Sequence, residues 1–203
     1  MRITPAVVAL ALTLAPATGL AQGFHKGEQF FSLAFGEGRT TVTPGDFVWV
    51  DETFPDGLPL PAHDDEVFLL DLAGGAMMAD HFALVGGFEG PGAHVPDVQG
   101  RLWNLHFYGG ARYWPAHRLW VEGDLGPTWL NVARGEGGAQ VESSKWGLGL
   151  VGVVGYELLQ RRNASFVKKG HFLAHVQARV STNAAGGVRA TTVGALLGFS
   201  TGW

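Results

Sequence analysis

Two neighbouring segments near the middle of the chain, 101–113 and 119–128, alternate between apolar and polar positions with a period of two. Their apolar positions are Trp103, Leu105, Phe107, Gly109, Ala111, Tyr113, Leu119, Val121, Gly123 and Leu125. Their opposite positions carry charge, including Arg112, Glu122 and Asp124. A period of two is the signature of a strand with two different faces, and a Pro-containing stretch joins the segments. The pattern therefore predicts a β-hairpin.

These predicted strands are long. Each has about ten residues or more, which exceeds the usual globular strand and matches the length that crosses a bilayer at a tilt. In a soluble sandwich the apolar face would pack into the core. In a transmembrane barrel the apolar face contacts lipid, and the charged face points into the barrel. The rest of the chain distinguishes these two architectures.

Six further segments show the same alternation. The additional predicted strands are 29–36, 66–78, 82–90, 146–158, 172–182 and 188–203. The predicted connections are 37–65, 79–81, 91–100, 114–118, 133–144, 159–170 and 183–187. Along the chain, the first three odd-numbered connections are long and the first two even-numbered ones are short, as in barrels with long external loops and short periplasmic turns. We therefore predict an all-β fold: one eight-stranded antiparallel up-and-down transmembrane β-barrel, spanning 22–203.

The first residues predict export. Residues 1–21 contain one positive charge at Arg2, an apolar run over 6–15 and a small-residue cleavage site that ends at Ala21, which together are typical of a cleaved secretory signal peptide. The apolar run is shorter than the ~20 residues of a spanning helix. The chain is 46% hydrophobic, only 16% charged and rich in Gly, with 31 residues, and it has no Cys. Disulfide and thiol chemistry are therefore excluded.

The end of the chain carries a family resemblance. The last strand ends in an aromatic residue preceded by apolar residues at alternate positions: Val193, Ala195, Leu197, Phe199 and Trp203. It resembles the C-terminal assembly signal of bacterial outer-membrane barrels, although Thr201 interrupts the apolar series and Trp replaces the commoner Phe. With the hairpins 74–90 and 108–126, the chain resembles the small outer-membrane β-barrel superfamily of OmpA-like and OmpX/OmpW-like eight-stranded proteins over residues 28–203.

This resemblance implies the barrel fold and integral localisation in the bacterial outer membrane after export through the periplasm. It also implies contact with outer-membrane lipid and lipopolysaccharide, and insertion by the barrel-assembly machinery. It implies no shared catalytic activity. We expect a monomer without a cofactor or a metal.

Ionisable residues collect on the face that should point into the barrel. They are Asp71, Glu89, His106, Arg112, Glu122, Asp124, Glu157, His175 and Arg179. The interior of an eight-stranded barrel is narrow and filled by side chains, and an unpaired buried charge is costly. We therefore expect a structural network of ion pairs, in which Arg112 pairs across its hairpin with Glu122, Asp124 or both. A proton or ion path, or an active site, is the functional alternative.

The hypothesis that the chain is an enzyme rests on His175, Ser181 and Asn183. Some eight-stranded outer-membrane barrels are lipid A deacylases with His and Ser on a late strand, followed by Asn. In this chain Arg179 stands where that motif would place His, and His175 is six residues before Ser181. The spacing does not bring the pair within hydrogen-bond reach locally, so the motif is not met.

Two other charged segments have plain explanations. The acidic stretch 37–65 could offer oxygen ligands to a divalent cation, but its spacing fits no defined calcium loop, and a solvated loop is favoured. The basic connection 159–170 could touch anionic phospholipid headgroups, or it could be an ordinary solvated turn. It does not indicate nucleic-acid binding, since the chain has a net charge of −4 and no aromatic residues interleave with a basic stripe.

Taken together, the sequence predicts a non-enzymatic integral outer-membrane barrel with a structural or surface-interaction role and a polar interior filled by side chains. A small-solute channel of the OmpW type is the first alternative. An outer-membrane lipid A-modifying enzyme is the second.

Overall fold

The computed structural model describes residues 24–43, 48–49, 58–59, 63–90, 92–95, 100–134, 141–162 and 171–203. The predicted signal peptide, 1–21, lies outside this set. Within the described ranges there is no helix long and apolar enough to cross a membrane.

The described residues form eleven β-strands. They are β1 (Gln29–Thr43), β2 (Val48–Trp49), β3 (Leu58–Pro59), β4 (His63–Ala79), β5 (Phe82–Glu89), β6 (Gly92–Val95), β7 (Gly100–Ala116), β8 (Leu119–Arg134), β9 (Val141–Arg162), β10 (His171–Ala185) and β11 (Val188–Gly202). Strands β2 and β3 pair only with each other, within the long connection between β1 and β4.

The other strands close into an antiparallel up-and-down barrel. Strand β1 pairs with β11 on one side and with β4 on the other, and this double pairing closes the sheet. Strands β5 and β6 share one place between β4 and β7, because Gly92 of β6 pairs with both Phe68 of β4 and Trp103 of β7. The barrel therefore has eight strand positions, as the sequence predicted.

Several predicted strand ends were wrong, because most strands are longer than the apolar alternation. Strand β1 continues to Thr43 rather than to residue 36, since its backbone stays paired with both β4 and β11 as far as Val42. Strand β8 extends to Arg134, β9 begins at Val141, and β6 occupies part of the predicted loop 91–100. Backbone hydrogen bonds between strands do not depend on the side chains, so the strands continue beyond the residues that alternate between apolar and polar.

Three connections were also predicted too long. The connection 114–118 is the two-residue turn His117–Arg118, where Arg118 has a φ of 66°. The connection 183–187 is the turn Gly186–Gly187, with φ of 57° and 82°. Positive φ at the centre is what short hairpin turns require. In the connection 159–170, residues as far as Arg162 belong to β9, and 163–170 lie outside the described part of the chain.

Side chains alternate between the two faces of the barrel wall, and the predicted faces are confirmed. The large apolar side chains that are exposed are Phe31, Phe35, Phe68, Met78, Phe82, Leu84, Trp103, Phe107, Tyr113, Val121, Leu125, Trp146, Leu148, Leu150, Val154, Leu158, Leu159, Val176, Val180, Val193, Leu197, Phe199 and Trp203. A β-bulge in the β9–β10 pairing explains why Leu158 and Leu159 are both exposed. The charged face points inward.

An apolar layer fills one end of the lumen. We call this the terminal end, because it holds Phe24, Trp203 and the turn His117–Arg118. Phe24 precedes β1, is 1% exposed, and stacks on Phe30 with ring centres 5.1 Å apart. The buried cluster includes Phe24, Phe30, Met77, Trp114, Trp120 and Leu173. The polar residues described below lie further along the lumen.

Candidate functional site

The structure places all nine predicted interior residues inside the barrel. Asp71, Glu89, His106, Arg112, Glu122, Asp124, Glu157, His175 and Arg179 are all buried. They come from β4, β5, β7, β8, β9 and β10. The alternation of each strand turns the residues inward, and closure of the sheet brings the strands together around one narrow lumen.

Arg112 and Glu122 form an ion pair just above the apolar layer. They stand opposite each other in the β7–β8 pairing, and Arg112 Nε donates to Glu122 Oε2 at 2.5 Å. The Arg112 guanidinium also lies 3.9 Å from the ring centre of Trp120 and 5.2 Å from that of Phe30. Cation–π contacts of this kind strengthen when they are desolvated.

Arg112 pairs with Glu122 and forms no ion pair with Asp124, the second partner that the sequence allowed. Asp124 stands opposite Gly110, one inward position further from the turn His117–Arg118. A β-bulge next to Tyr113 in β7 sets this register.

Arg179 is the centre of a second cluster. Its Nη1 lies 2.9 Å from Asp71 Oδ1 and its Nε lies 2.5 Å from Glu89 Oε2. Tyr108 donates its hydroxyl to Asp71 Oδ1 at 2.5 Å, and Gln177 Nε2 donates to Asp71 Oδ2 at 3.5 Å. The cluster joins β10 to β4 and β5 across the lumen, between strands that are not neighbours in the sheet.

Two members of this cluster, Tyr108 and Gln177, were missed by sequence reasoning. Both lie on inward faces that the alternation had identified, but neither is an acidic or basic residue, and the predicted network consisted of acidic and basic residues. Their buried positions beside predicted charges were the available signal, because a buried carboxylate needs donors beyond a single cation.

Two further interior groups, His106 and Glu157, also have partners. His106 Nδ1 lies 3.3 Å from Glu89 Oε1, which extends the Arg179 cluster. Glu157 accepts a hydrogen bond from Trp114 Nε1 at 2.9 Å. These contacts tie the charged cluster to a neighbouring histidine and the apolar layer to a carboxylate. Contacts of this kind between buried polar groups are expected of a structural network.

His175 does not contact Ser181, the serine of the enzyme hypothesis. It is six residues from Ser181 on the same strand, a separation of about 20 Å at the rise of an extended chain. Its Nδ1 instead lies 3.4 Å from Ser200 Oγ, and Ser200 donates to Ser32 at 3.0 Å. Trp120 packs edge-on against the His175 ring at 5.9 Å between centres. His175 and Ser200 are buried in the barrel.

Metal binding finds no support in the part of the chain that the structure describes, where no three His, Asp or Glu residues form an arrangement that could hold a metal ion. Within the acidic stretch, Arg39 Nη2 pairs with Asp64 Oδ2 at 2.9 Å on the surface. Residues 44–47, 50–57 and 60–62 lie outside the described set, and the cation-binding alternative for this stretch stays untested.

The residues of the predicted assembly signal lie on the outer face of β11 or at its end. Val193, Ala195, Leu197, Phe199 and Trp203 are all exposed. Phe199 stacks against Phe172 of β10, with ring centres 5.8 Å apart. Trp203 exchanges two backbone hydrogen bonds of 3.0 Å with Gln29. The last strand therefore presents an aromatic outer surface and also forms the seam that closes the barrel.

Comparison with known proteins bears on the fold. No protein-family model matches the chain, and no curated protein sequence matches it. Among solved structures, the crystal structure of Ail, the attachment invasion locus protein of Yersinia pestis, matches 88% of this chain and 99% of that chain, with a TM-score of 0.57 and 12% identity. The chain has the fold of a small outer-membrane β-barrel.

Two further structures are similar. Ail in complex with the heparin analogue sucrose octasulfate matches 88% of this chain and 99% of that chain, with a TM-score of 0.54 and 15% identity. The N-terminal β-barrel domain of Pseudomonas aeruginosa OprF matches 89% of this chain and 100% of that chain, with a TM-score of 0.43 and 14% identity. Identities this low establish the fold alone.

Proposed function

We propose that this chain is a non-enzymatic, monomeric integral protein of the bacterial outer membrane, with a structural or surface-interaction role. In this proposal its lumen is closed by its own side chains, and its contacts are made by the outer wall and the barrel ends. Outer-membrane lipid and lipopolysaccharide cover the wall. The barrel-assembly machinery inserts the chain and recognises the outward residues of β11, ending at Trp203.

The inverted distribution of side chains carries this proposal. Phe107, Leu125 and Leu150, from three adjacent strands, are exposed on the outer face, whereas Arg179 and Glu89 are buried. A water-soluble protein rarely exposes contiguous apolar patches larger than a few hundred Å². In a bilayer the same wall contacts acyl chains, and the closed sheet leaves no edge unpaired. Contact with lipid therefore explains the apolar outer wall, which would be unfavourable in water.

The filled lumen favours a closed barrel over the channel alternative. The apolar layer with Phe24, Trp114 and Trp120 fills the terminal end. Beyond it, Arg179 bridges opposite sides of the wall through Asp71 and Glu89. Crossing these layers would require a solute to separate paired charges and displace aromatic rings. The lipid A-modifying alternative lacks support too, since His175 and Ser181 are not within reach of each other.

Membrane fractionation with a heat-modifiability gel tests the proposal. The full-length chain, expressed in a Gram-negative host, should be recovered in the outer-membrane fraction and should migrate differently on a gel when unheated and when boiled. Recovery of folded protein from the soluble periplasmic fraction would overturn the membrane assignment.

The two alternatives are tested with purified barrel in lipid vesicles. We expect no flux of small solutes above that of empty vesicles and no mass change in added lipid A. Solute flux would support the channel, and a lipid A mass change would support the enzyme. An unrelated outer-membrane porin in the same vesicles supplies the positive control for flux.

A further inference from the structure

Asp124 is a buried carboxyl group without a hydrogen-bond donor among the described residues. It lies on the inner face of β8 and is 5% exposed, and neither of its carboxyl oxygens has a hydrogen-bond partner. The residues directly opposite it are Gly110 on β7 and Val151 on β9. Neither has a side chain that could donate. A carboxylate held in this way would lose its hydration with nothing in exchange.

Each of the two buried arginines among the described residues has an ion-pair partner other than Asp124. Arg112 pairs with Glu122 through Nε, and Arg179 pairs with Asp71 and Glu89. Among the buried residues that the structure describes, the lumen around these pairs holds two arginines, Arg112 and Arg179, and four carboxyl groups: Asp71, Glu89, Glu122 and Asp124. The interior therefore contains more acid than these fixed cations can balance.

Glu122 is the acidic residue nearest to Asp124 along β8, two residues away, and both side chains are buried. The two residues are neighbours on the inner face of β8, and Val153 and Val151 of β9 stand opposite them. Two ionised carboxylates are both acceptors, so no hydrogen bond can join them unless one carries a proton. Carboxyl groups held this close in a buried site share a single proton.

We infer that Glu122 and Asp124 form a proton-binding site inside the barrel, in which the two carboxyl groups hold one proton between them. Asp124 donates that proton to Glu122, and Glu122 accepts from Arg112 on its other side. The pair then carries one negative charge, which the guanidinium of Arg112 balances. The bound species is a proton, and the inference depends only on the fold, so it applies to the barrel in lipid or in detergent.

Infrared spectroscopy of the folded barrel tests this inference directly. The wild type at neutral pH should show the carbonyl stretch of a protonated carboxylic acid, shifted in deuterated buffer. Asp124→Asn should remove that band. Asp71→Asn is the matched control, because Asp71 is a buried carboxylate that already has Arg179 and Tyr108 as partners, and it should leave the band in place. Absence of the band from the wild type, or its persistence in Asp124→Asn, would overturn the inference.

Stability supplies a second measurement. An amide at position 124 can donate to Glu122 as the protonated acid does, so Asp124→Asn should unfold at the same urea concentration as the wild type or higher. Asp124→Ala lacks the donor and should unfold at a lower one. If Asp124→Asn unfolds as early as Asp124→Ala, Asp124 is ionised and the inference fails. It also fails if exchange of sodium for potassium shifts unfolding of the wild type but not of Asp124→Asn, because the bound species is then a metal cation.

Discussion

Arg112 and Glu122 face each other across β7 and β8, and the 2.5 Å contact between Arg112 Nε and Glu122 Oε2 is made against the ring of Trp120. This pair lies between the apolar layer and the charged residues of the lumen. The guanidinium of Arg112 packs on the apolar layer, and its Nε donates to Glu122. The charge of Arg112 is thus stabilised by a carboxylate and by an aromatic face together.

We predict that Arg112→Met destabilises the barrel by about 3–5 kcal/mol, because it leaves Glu122 buried without its cation. The double variant Arg112→Met with Glu122→Gln should lose less, since it removes both charges and retains an amide that can hydrogen-bond with Asp124. Urea unfolding of folded barrel in lipid measures both. Equal losses in the single and double variants would mean that the two residues do not form one interaction.

We predict that the outer wall tolerates charge according to depth. Phe107 is 43% exposed near the middle of β7, and Phe107→Arg should cost about 2–4 kcal/mol because it places a cation at the bilayer midplane. Phe68→Arg is the matched control, since Phe68 stands opposite Glu37 nearer the far end of the barrel. Its cost should be about 0–1 kcal/mol.

Both Arg variants are compared by unfolding in lipid vesicles and again in detergent. Similar costs for the two positions in vesicles would contradict the lipid contact assigned to the wall. If Phe107→Arg lowers the free energy of unfolding as much in detergent as in lipid vesicles, Phe107 packs against a protein partner rather than lipid.

We predict opposite outcomes for two glycines three residues apart on β9. A Cβ on Gly155 would overlap the indole ring of Trp120 inside the barrel, whereas a Cβ on Gly152 would meet nothing within 4 Å on the outer face. Gly155→Val should therefore destabilise the barrel by about 1–3 kcal/mol through overpacking. Gly152→Val should be neutral or stabilising, because a β-branched residue suits a strand.

Urea unfolding of the two glycine variants, each against the wild type, gives the measurement. A stable Gly155→Val barrel would show that Trp120 can leave its position in the apolar layer. A strongly destabilised Gly152→Val barrel would show that the outer face at this level is covered by protein rather than lipid.

Processing of the first residues stays a prediction with a direct test. Cleavage after Ala21 would leave Gln22 and Gly23 ahead of Phe24, which is the first described residue and fills the terminal end of the lumen. Mass spectrometry of protein extracted from membranes should therefore give a mature chain that begins at Gln22. A mature protein that retains residues 1–21 would exclude the secretory interpretation.

Away from the β-bulges, the sequence alone determined which residues of a strand share a face of the wall. Successive residues of a strand point to opposite faces whatever their neighbours are, so Phe107 could be assigned outward and Arg112 inward from local alternation. The number of strand positions followed from counting these segments. The Arg112–Glu122 pair could be predicted as well, because a short hairpin places its two strands side by side.

Only the tertiary structure decided which inward residues meet. Arg179 reaches Asp71 and Glu89 across the lumen, and such contacts depend on closure of the sheet and on the stagger of its strands, which no local pattern encodes. The pairing of β10 with β11 likewise decides that His175 meets Ser200. The register of β7 and β8 also places Glu122 opposite Arg112 and Asp124 opposite Gly110, and it had to come from the structure because a shift of a single residue changes every partner across a strand pair.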